Sequence, residues 1–207
     1  MNLLGTYRPG SKRFAADLSG PYSDRNDLIF LLRHGRIRGG HEARRFIGST
    51  DLDLDDLGRD QALWWKRTFQ DILFSGIHAS RLKRCRETAS LICPLEQIFI
   101  DSRLNEIHMG EWEGRSFEEI QKDHPREYDR RGRAMDRFRP RGGESFDDVF
   151  NRVFPFFMDL GIKTPGRTLV VTHAGVIRVL LSRIFGFYPE GLFKIRPEYG
   201  QLFVLSP

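Results

Sequence analysis

The stretch Leu28-Ile29-Phe30-Leu31-Leu32-Arg33-His34-Gly35 decides the fold of this chain. Its first five residues are an unbroken apolar run, which predicts a strand buried on both faces, as in a parallel sheet with helices on each side. A second such run, Thr168-Leu169-Val170-Val171-Thr172, is followed by His173 and, two residues later, by Gly175. Because ligands bind beyond the carboxyl ends of parallel strands, we expect His34 and His173 to meet at one site.

Strand and helix patterns alternate outward from this stretch. Apolar residues recur at helical spacing from Asp55 to Gly76, with Asp55 or Asp56 as the expected N-cap, and again over 84–92, 145–157 and 176–185. The short segments 77–80 and 97–100 are interpreted as further strands. This alternation indicates an α/β fold, a three-layer αβα sandwich with a mainly parallel sheet and helices on both faces.

The chain of 207 residues is long enough for one well-filled domain. Residues 1–26 are rich in Gly, Pro, Ser and charge without either period, so we expect an irregular N-terminal arm, followed by one domain over 27–207. The segment 126–143 holds seven arginines, three glycines and a proline, which favours a mobile loop or lid. Two short apolar runs near the end, 192–195 and 202–205, predict a terminal hairpin.

Charge and hydropathy limit the possible partners. The sequence has no apolar run of about 18 residues and no secretory signal, so we expect a cytoplasmic protein without a membrane partner. The formal net charge is +5, and arginines cluster at 33–45, 81–86 and 126–141. Such clusters suit nucleic acid, an anionic membrane surface or a small phosphorylated ligand.

The arginines near the two histidines indicate which of these partners to expect. Arg33 adjoins His34, and a predicted helix opens with Arg81, Arg84 and Arg86. A guanidinium donates two parallel hydrogen bonds and stays charged, which suits a phosphoryl group. The site is therefore interpreted as a phosphate cradle for a small phosphorylated metabolite.

At this point the residues resemble the histidine phosphatase superfamily, also called the phosphoglycerate mutase-like family, whose mark is Arg-His-Gly after the first strand. The resemblance covers roughly residues 28 to 205 and rests on five motifs in order. After Arg33-His34-Gly35 they are a segment from Gly48 to Ala62, the run Ser80 to Ala89 containing Arg84, the segment Leu104 to Gly114 containing Glu106, and finally Gly142 to Ser145 with Val171 to Gly175.

The resemblance implies a phosphoglycerate mutase-like fold, a phosphohistidine intermediate, and no metal or organic cofactor. His34 would attack phosphorus, Glu106 would serve as general acid and base, and Arg33, Arg84 and His173 would stabilise the transferring oxygens. The phosphate contacts would come from Arg33, Arg84, His173 and Ala174, and the substrate contacts from Arg36, Arg45, Gly48 and Trp112. For Trp112 the alternative is that it only packs. Glu144 is interpreted as structural, as a charge preceding a helix or as a partner of Arg33.

One departure from the family pattern bears on the substrate. Many members, mutases especially, have an asparagine six residues after the nucleophilic histidine, and here that position is Gly40. The sequence therefore favours a phosphomonoesterase similar to the alpha-ribazole phosphatases, acting on a small metabolite such as alpha-ribazole 5′-phosphate.

Two alternatives remain. One is a phosphoglycerate mutase or a phosphatase of sugar or glycolytic phosphates. The other is a non-catalytic module that binds phosphate or nucleic acid, which is disfavoured because binding alone needs no nucleophile together with an acid. The sequence carries no signal of oligomeric state.

Overall fold

A six-stranded sheet forms the middle of the molecule in a computed structural model, which describes residues 1–39, 45–163 and 166–206. Its strands are Asn2–Tyr7 (β1), Ile29–Arg33 (β2), Phe74–Ala79 (β3), Ile98–Ile100 (β4), Arg167–Thr172 (β5) and Leu202–Ser206 (β6). Across the sheet the order is β1-β6-β2-β5-β3-β4. The neighbours from β2 to β4 are parallel, whereas β6 is antiparallel to both β1 and β2. The prediction of a mainly parallel sheet is confirmed.

Seven helices accompany the sheet in the described residues. They are Lys12–Ser19 (α1), Asp56–Thr68 (α2), Lys83–Ile92 (α3), Phe117–Asp123 (α4), Pro125–Arg133 (α5), Phe146–Lys163 (α6) and Ala174–Ile184 (α7). Side chains of α1, α2 and α3 pack on one face of the sheet, and those of α6 and α7 pack on the other. None of the described helices is long and apolar enough to cross a membrane.

The alternation of side chains along β2 explains why helices cover both faces of the sheet. Phe30 and Leu32 belong to the core beneath α1, α2 and α3, whereas Ile29 and Leu31 belong to the core beneath α6 and α7. All four are nearly inaccessible to solvent. A strand with two apolar faces is stable only when both faces are covered, so the predicted three-layer sandwich is confirmed.

Side-chain caps begin two of the helices, α2 and α4. The Asp55 carboxylate accepts a hydrogen bond of 2.8 Å from the Gly58 amide, which confirms Asp55 as the N-cap of α2. Ser116 and Glu119 form a capping box at the start of α4. Ile120 of α4 packs with Phe46 and Trp112 in a small core that is separate from the two cores of the sheet.

The prediction of an irregular arm over residues 1–26 is wrong for residues 2–19, which contain β1 and α1. β1 pairs with β6 at the edge of the sheet, and α1 buries Phe14 against the rings of Trp65 and Phe69 at 5.5 and 5.8 Å. The helix has one buried residue and β1 one buried residue, Tyr7. Such sparse burial produces neither apolar period, so the pattern was not visible in the sequence.

Two other segments also differ from expectation. The predicted lid begins with a helix, α5, which has Pro125 in its first turn, three arginines in its last turn and no buried residue. Proline at the start and cations at the end both suit a helix, and they offset its lack of an apolar face. The prediction of a terminal hairpin is wrong. Leu192–Lys194 forms a 3₁₀ turn, and β6 pairs with β1 and β2 instead.

Candidate active site

A cavity of about 770 Å³ opens at the carboxyl ends of β2 and β5. His34 and Glu106 lie in its wall, together with Ala174 and Gly175 at the start of α7. Seven guanidiniums also line it: Arg33, Arg38, Arg45, Arg84, Arg131, Arg178 and Arg196. Glu106 is the one carboxylate in the wall that the described residues form. The cavity is therefore strongly cationic.

His34 follows β2 directly and is 3% exposed. Its Nδ1 lies 2.8 Å from the carbonyl oxygen of Gly35. A carbonyl can only accept, so Nδ1 carries the proton, and Nε2 keeps its lone pair. Burial and then the charges of Arg84 and Arg33 hold the pKa of His34 well below its usual 6.5. The ring is therefore a neutral base with a free nitrogen at neutral pH.

The residue after His34 must be glycine because backbone lies directly against backbone there. A Cβ on Gly35 would come within 2.3 Å of the Gly58 carbonyl oxygen in α2, and a Cβ on Gly58 within 2.1 Å of the Arg36 carbonyl oxygen. The Gly35 amide also donates to the Thr88 hydroxyl of α3 at 3.0 Å. The turn that carries His34 is thus fixed by α2 and α3.

Arg84 is almost wholly buried, at 1% exposed, in the first turn of α3. Its Nη1 donates to the carbonyl of Thr50 and its Nη2 to the carbonyl of Gly48, both at 2.7 Å. Its Nε donates to His173 Nδ1 at 3.2 Å. Three of the five donors are used in this way, so the guanidinium is held at a fixed angle beside the cavity.

His173 ends β5 and lies next to His34, with ring centroids 5.1 Å apart. Because its Nδ1 accepts from Arg84, the proton lies on Nε2, which is 2.8 Å from the Ser80 hydroxyl oxygen. The side chain is fully buried, and burial together with Arg84 lowers the pKa of His173 well below 6.5. Both ring nitrogens are therefore occupied, and the ring holds Arg84 instead of forming part of the cavity wall.

Arg33 projects from the end of β2 under the ring of Tyr199, 3.7 Å from its centroid. Its Nη1 donates to the Pro197 carbonyl at 2.8 Å, while its buried Nε has no partner among the described residues. Burial lowers the pKa of Arg33. A buried donor without an acceptor is costly, and an anion in the cavity would offset that cost.

Glu106 lies in the cavity wall beside the start of α7. Its carboxylate accepts from the Gly175 amide at 3.1 Å and from the Ile107 amide at 2.9 Å. A Cβ on Gly175 would lie 2.2 Å from the carboxylate, so only glycine allows this approach. The backbone that carries Glu106 is held by Arg152, which donates to the carbonyls of Arg103 at 2.6 Å and Glu106 at 3.1 Å.

Glu113 organises the loop that holds Arg84. Its carboxylate accepts hydrogen bonds of 2.7 to 3.1 Å from the amides of Gly48, Ser49 and Thr50, and another from the Thr50 hydroxyl. These bonds lower the pKa of Glu113, although burial opposes the change. The same loop presents the two carbonyls that bind the Arg84 guanidinium.

The four predicted substrate contacts are placed differently from one another. Arg45 lines the cavity, and Gly48 contributes its carbonyl to Arg84 instead of a surface to a substrate. Arg36 turns away to pair with Asp55 at 2.5 Å. Trp112 does not form part of the wall, because it is 1% exposed and packs between Phe46 and Phe138.

Two further predictions concern Gly40 and Glu144. Gly40, where many relatives have asparagine, lies outside the described residues. Glu144 pairs with Arg152 at 2.8 Å, so the alternative that it pairs with Arg33 is wrong, whereas its position two residues before α6 agrees with a charge that precedes a helix. Glu144 is structural, because it holds the arginine that in turn holds the backbone of Glu106.

Sequence reasoning missed three arginines of the cavity wall and the tyrosine that covers Arg33. Arg131 comes from α5, Arg178 from α7 and Arg196 from the segment before β6, and Tyr199 covers Arg33. Arg178 was detectable, since it lies four residues after Ala174 and so shares its face of a helix. Arg131 and Arg196 carry no such signal, because chain segments distant in sequence bring them together.

Comparisons with known proteins agree with this geometry. Residues 29–207 match the model of the histidine phosphatase superfamily, branch 1. Phosphoglycerate mutase-like protein 4 of Arabidopsis thaliana is 35% identical over 161 residues, which cover 75% of this chain and 70% of that protein. Glucosyl-3-phosphoglycerate phosphatase of Mycolicibacterium vanbaalenii is 32% identical over 168 residues, covering 76% and 74%.

A solved structure is also similar. The alpha-ribazole phosphatase of Shigella flexneri superposes with a TM-score of 0.75 at 26% identity, covering 84% of this chain and 87% of that one. Since the family model spans most of the chain and includes both histidines, this protein belongs to the histidine phosphatase superfamily.

Proposed function

We propose that this protein is a metal-independent phosphomonoesterase that carries its phosphoryl intermediate on His34. The observation that carries the proposal is the neutral His34 ring, whose Nδ1 is bound to the Gly35 carbonyl while Nε2 is free, in a cavity lined by guanidiniums. A nitrogen with a lone pair is the nucleophile that phosphoryl transfer requires. The guanidiniums supply the compensating charge.

The reaction follows in two displacements. His34 Nε2 attacks phosphorus, the bond from phosphorus to the ester oxygen breaks, and Glu106 gives its proton to the departing oxygen. Glu106 then takes a proton from water, whose oxygen attacks the phosphohistidine and releases phosphate. Arg33 and Arg84 stabilise the charge on the equatorial oxygens, and Ala174 in the first turn of α7 lines the same wall.

The residues support metal independence through their chemistry. Within the described residues, no group of three or more His, Cys, Asp or Glu side chains is arranged to hold a metal ion. The charge that a divalent ion supplies in other phosphatases would come here from arginines. We expect full activity in the presence of a chelator, and inactivation that is reversed by a divalent ion would contradict this part of the proposal.

The substrate we propose is a small phosphorylated metabolite. Alpha-ribazole 5′-phosphate is one candidate, supported by the likeness to an alpha-ribazole phosphatase structure. A mutase is the alternative, supported by the name of the Arabidopsis relative. The two activities differ in whether the phosphoryl group passes to water or returns to an acceptor, so measured phosphate release separates them.

Trapping the intermediate tests the proposal. The protein is mixed with p-nitrophenyl phosphate and quenched in alkali, in which phosphohistidine survives, and the modified peptide is identified by mass spectrometry. We expect the phosphoryl group on His34, and neither label nor turnover in His34→Asn. His124→Asn is the control, since His124 contacts Arg115 outside the cavity. Label on another residue, or turnover that persists in His34→Asn, would overturn the assignment.

A further inference from the structure

Arg33 and Arg84 line the same cavity but are held in different ways. Arg84 donates from three of its nitrogens, to two backbone carbonyls and to His173. Arg33 makes one hydrogen bond within the described residues, from Nη1 to the Pro197 carbonyl at 2.8 Å, and its buried Nε has no partner there. A guanidinium has five N–H groups in one plane, and a single bond does not fix that plane. Another contact has to orient Arg33.

The ring of Tyr199 supplies this contact. The Cζ of Arg33 lies over the ring, 3.7 Å from its centroid. An aromatic ring attracts a guanidinium through the face of the cation, whereas the N–H groups point outward along the edges. A carboxylate partner would bind those edges instead. The ring therefore orients Arg33 and leaves its N–H groups free for the oxygens of a phosphoryl group.

Tyr199 also lies next to the histidine that carries the proposed intermediate. The centroid of its ring is 5.6 Å from that of His34, and the half-buried side chain forms part of the cavity wall. One ring is thus adjacent to both the guanidinium and the imidazole. A displacement of that ring would change where the N–H groups of Arg33 point relative to His34.

The turn that carries Tyr199 is anchored at the next residue. The Gly200 amide donates to the His34 carbonyl at 3.1 Å, and the Gly200 carbonyl accepts from the Trp65 indole at 2.7 Å. Trp65 is fully buried in the core beneath α1, α2 and α3. The end of β2 and this core therefore set the position of the Tyr199 ring.

We propose that Tyr199 is a positioning residue for phosphoryl transfer, whose ring holds the face of the Arg33 guanidinium and so directs its N–H groups at the transferring oxygens. Tyr199 lies outside the five sequence motifs, between Gly175 and β6, and none of them assigns it a role. This inference rests on the proposed function and adds one residue to its machinery. The face of the ring carries the role, and the phenol hydroxyl does not.

Two substitutions separate the ring face from the hydroxyl. Tyr199→Leu keeps an apolar side chain without a ring. We expect its kcat with p-nitrophenyl phosphate to fall about tenfold, and its affinity for vanadate, which mimics the transferring phosphoryl group, to fall in parallel, since a desolvated cation–π contact is worth about that factor. Tyr199→Phe keeps the ring face and should retain both values within about twofold.

Tyr188→Leu is the matched control. The ring of Tyr188 lies 3.8 Å from the Cζ of Arg183, which is the same kind of contact, and neither residue belongs to the cavity wall that the described residues form. The loss of this second stacked pair should lower the melting temperature and leave kcat and vanadate affinity unchanged. The control therefore distinguishes a loss of stability from a loss of positioning.

A double-mutant cycle tests whether Tyr199 acts through Arg33. In an Arg33→Met background no cation remains to be positioned, so Tyr199→Leu should lower the vanadate affinity by less than about twofold further. Titration calorimetry measures this affinity and needs no turnover. An equal loss of affinity in both backgrounds would show that the ring acts independently of Arg33.

The results separate this inference from the proposed function. Wild-type kcat and vanadate affinity in Tyr199→Leu, a Tyr199→Phe protein as slow as Tyr199→Leu, or equal losses in the two backgrounds would overturn the role of Tyr199 and leave the phosphatase standing. Absence of p-nitrophenyl phosphate hydrolysis by the wild-type protein would instead overturn the proposed function.

Discussion

Glu106 is the residue whose proposed role depends most on the chemistry of the leaving group. An alkoxide needs a proton as its bond to phosphorus breaks, and a general acid contributes roughly a hundred- to ten-thousandfold to such a step. A nitrophenolate needs no proton. We therefore expect Glu106→Gln to slow the hydrolysis of an alkyl phosphate by about that factor, and to spare the formation of phosphohistidine from p-nitrophenyl phosphate.

Rapid-mixing kinetics measure this difference. In Glu106→Gln the first turnover with p-nitrophenyl phosphate should appear as a burst of nitrophenol, followed by slow release of phosphate, because water lacks its base. Glu111→Gln is the control, since Glu111 is exposed and pairs with Arg141. Equal losses for both substrates without a burst would assign the acid to another residue.

Glu113 is a positioning residue, because it touches the loop that holds Arg84 and not the cavity. In Glu113→Gln an amide group would face backbone donors, so we expect the loop to shift and kcat to fall by roughly ten- to a hundredfold. The affinity for vanadate, a mimic of the transferring phosphoryl group, should fall in parallel. A lower melting temperature with unchanged kcat and vanadate affinity would show that the role of Glu113 is only structural.

The sequence alone predicted the positions of the site residues that directly follow an apolar strand. His34 and His173 follow apolar runs, and the sequence alone brings them to one edge of the sheet. The hydrogen bonds of His173 were not predictable, because Arg84 and Ser80 reach it from other elements. Trp112 was misplaced for a related reason, since an aromatic residue beside a motif gives no sign of which way its ring turns.

At the scale of elements, the N-terminal strand and helix are integral to the fold. Phe14 is fully buried and contacts the rings of Tyr7 at 4.9 Å and Trp65 at 5.5 Å. Removing such a ring leaves a cavity in the core. We expect Phe14→Ala to lower the free energy of unfolding by about 3–5 kcal/mol in a urea titration.

Arg13→Ala on the same helix is the control, because most of the Arg13 side chain is exposed. It should change the unfolding free energy by less than about 0.5 kcal/mol. A Phe14→Ala protein as stable as the wild type would show that residues 1–19 do not dock on the sheet in solution.

The elements that the sequence revealed are those with a complete apolar face. β2 and β5 are buried on both sides, and α2 and α3 repeat apolar residues at helical spacing. α1 and α5 lack such a face; the ring contacts of Phe14 hold α1, and Pro125 at the start and the charges at the ends favour α5. Elements of that kind are visible only when their partners in space are known.

At the scale of the whole molecule, two buried histidines make stability depend on pH. The pKa values of His34 and His173 are held well below the 6.5 expected in the unfolded chain. As the pH falls through 6.5 the unfolded chain therefore binds more protons than the folded protein, and stability falls as pH falls. Each histidine should lower the free energy of unfolding by up to about 1.4 kcal/mol for every pH unit below 6.5.

Urea titrations at pH 7.0, 6.0 and 5.5 measure this slope. His78, whose pKa burial also lowers, contributes in the same direction. His34→Asn should remove about one proton from the slope. A free energy of unfolding that does not change over this range would mean that the two rings are protonated in the folded protein.

The contact between Gly35 and Gly58 has a consequence for exchanging parts between relatives. A side chain that clashes with another side chain can be accommodated by trimming the neighbour, but here a methyl group added to either glycine would strike a carbonyl oxygen, which no substitution can shorten. Neither glycine has a compensating partner mutation. A chimera that replaces the chain after His34 therefore has to keep the end of β2 and the first turn of α2 from one parent, as a single inherited unit.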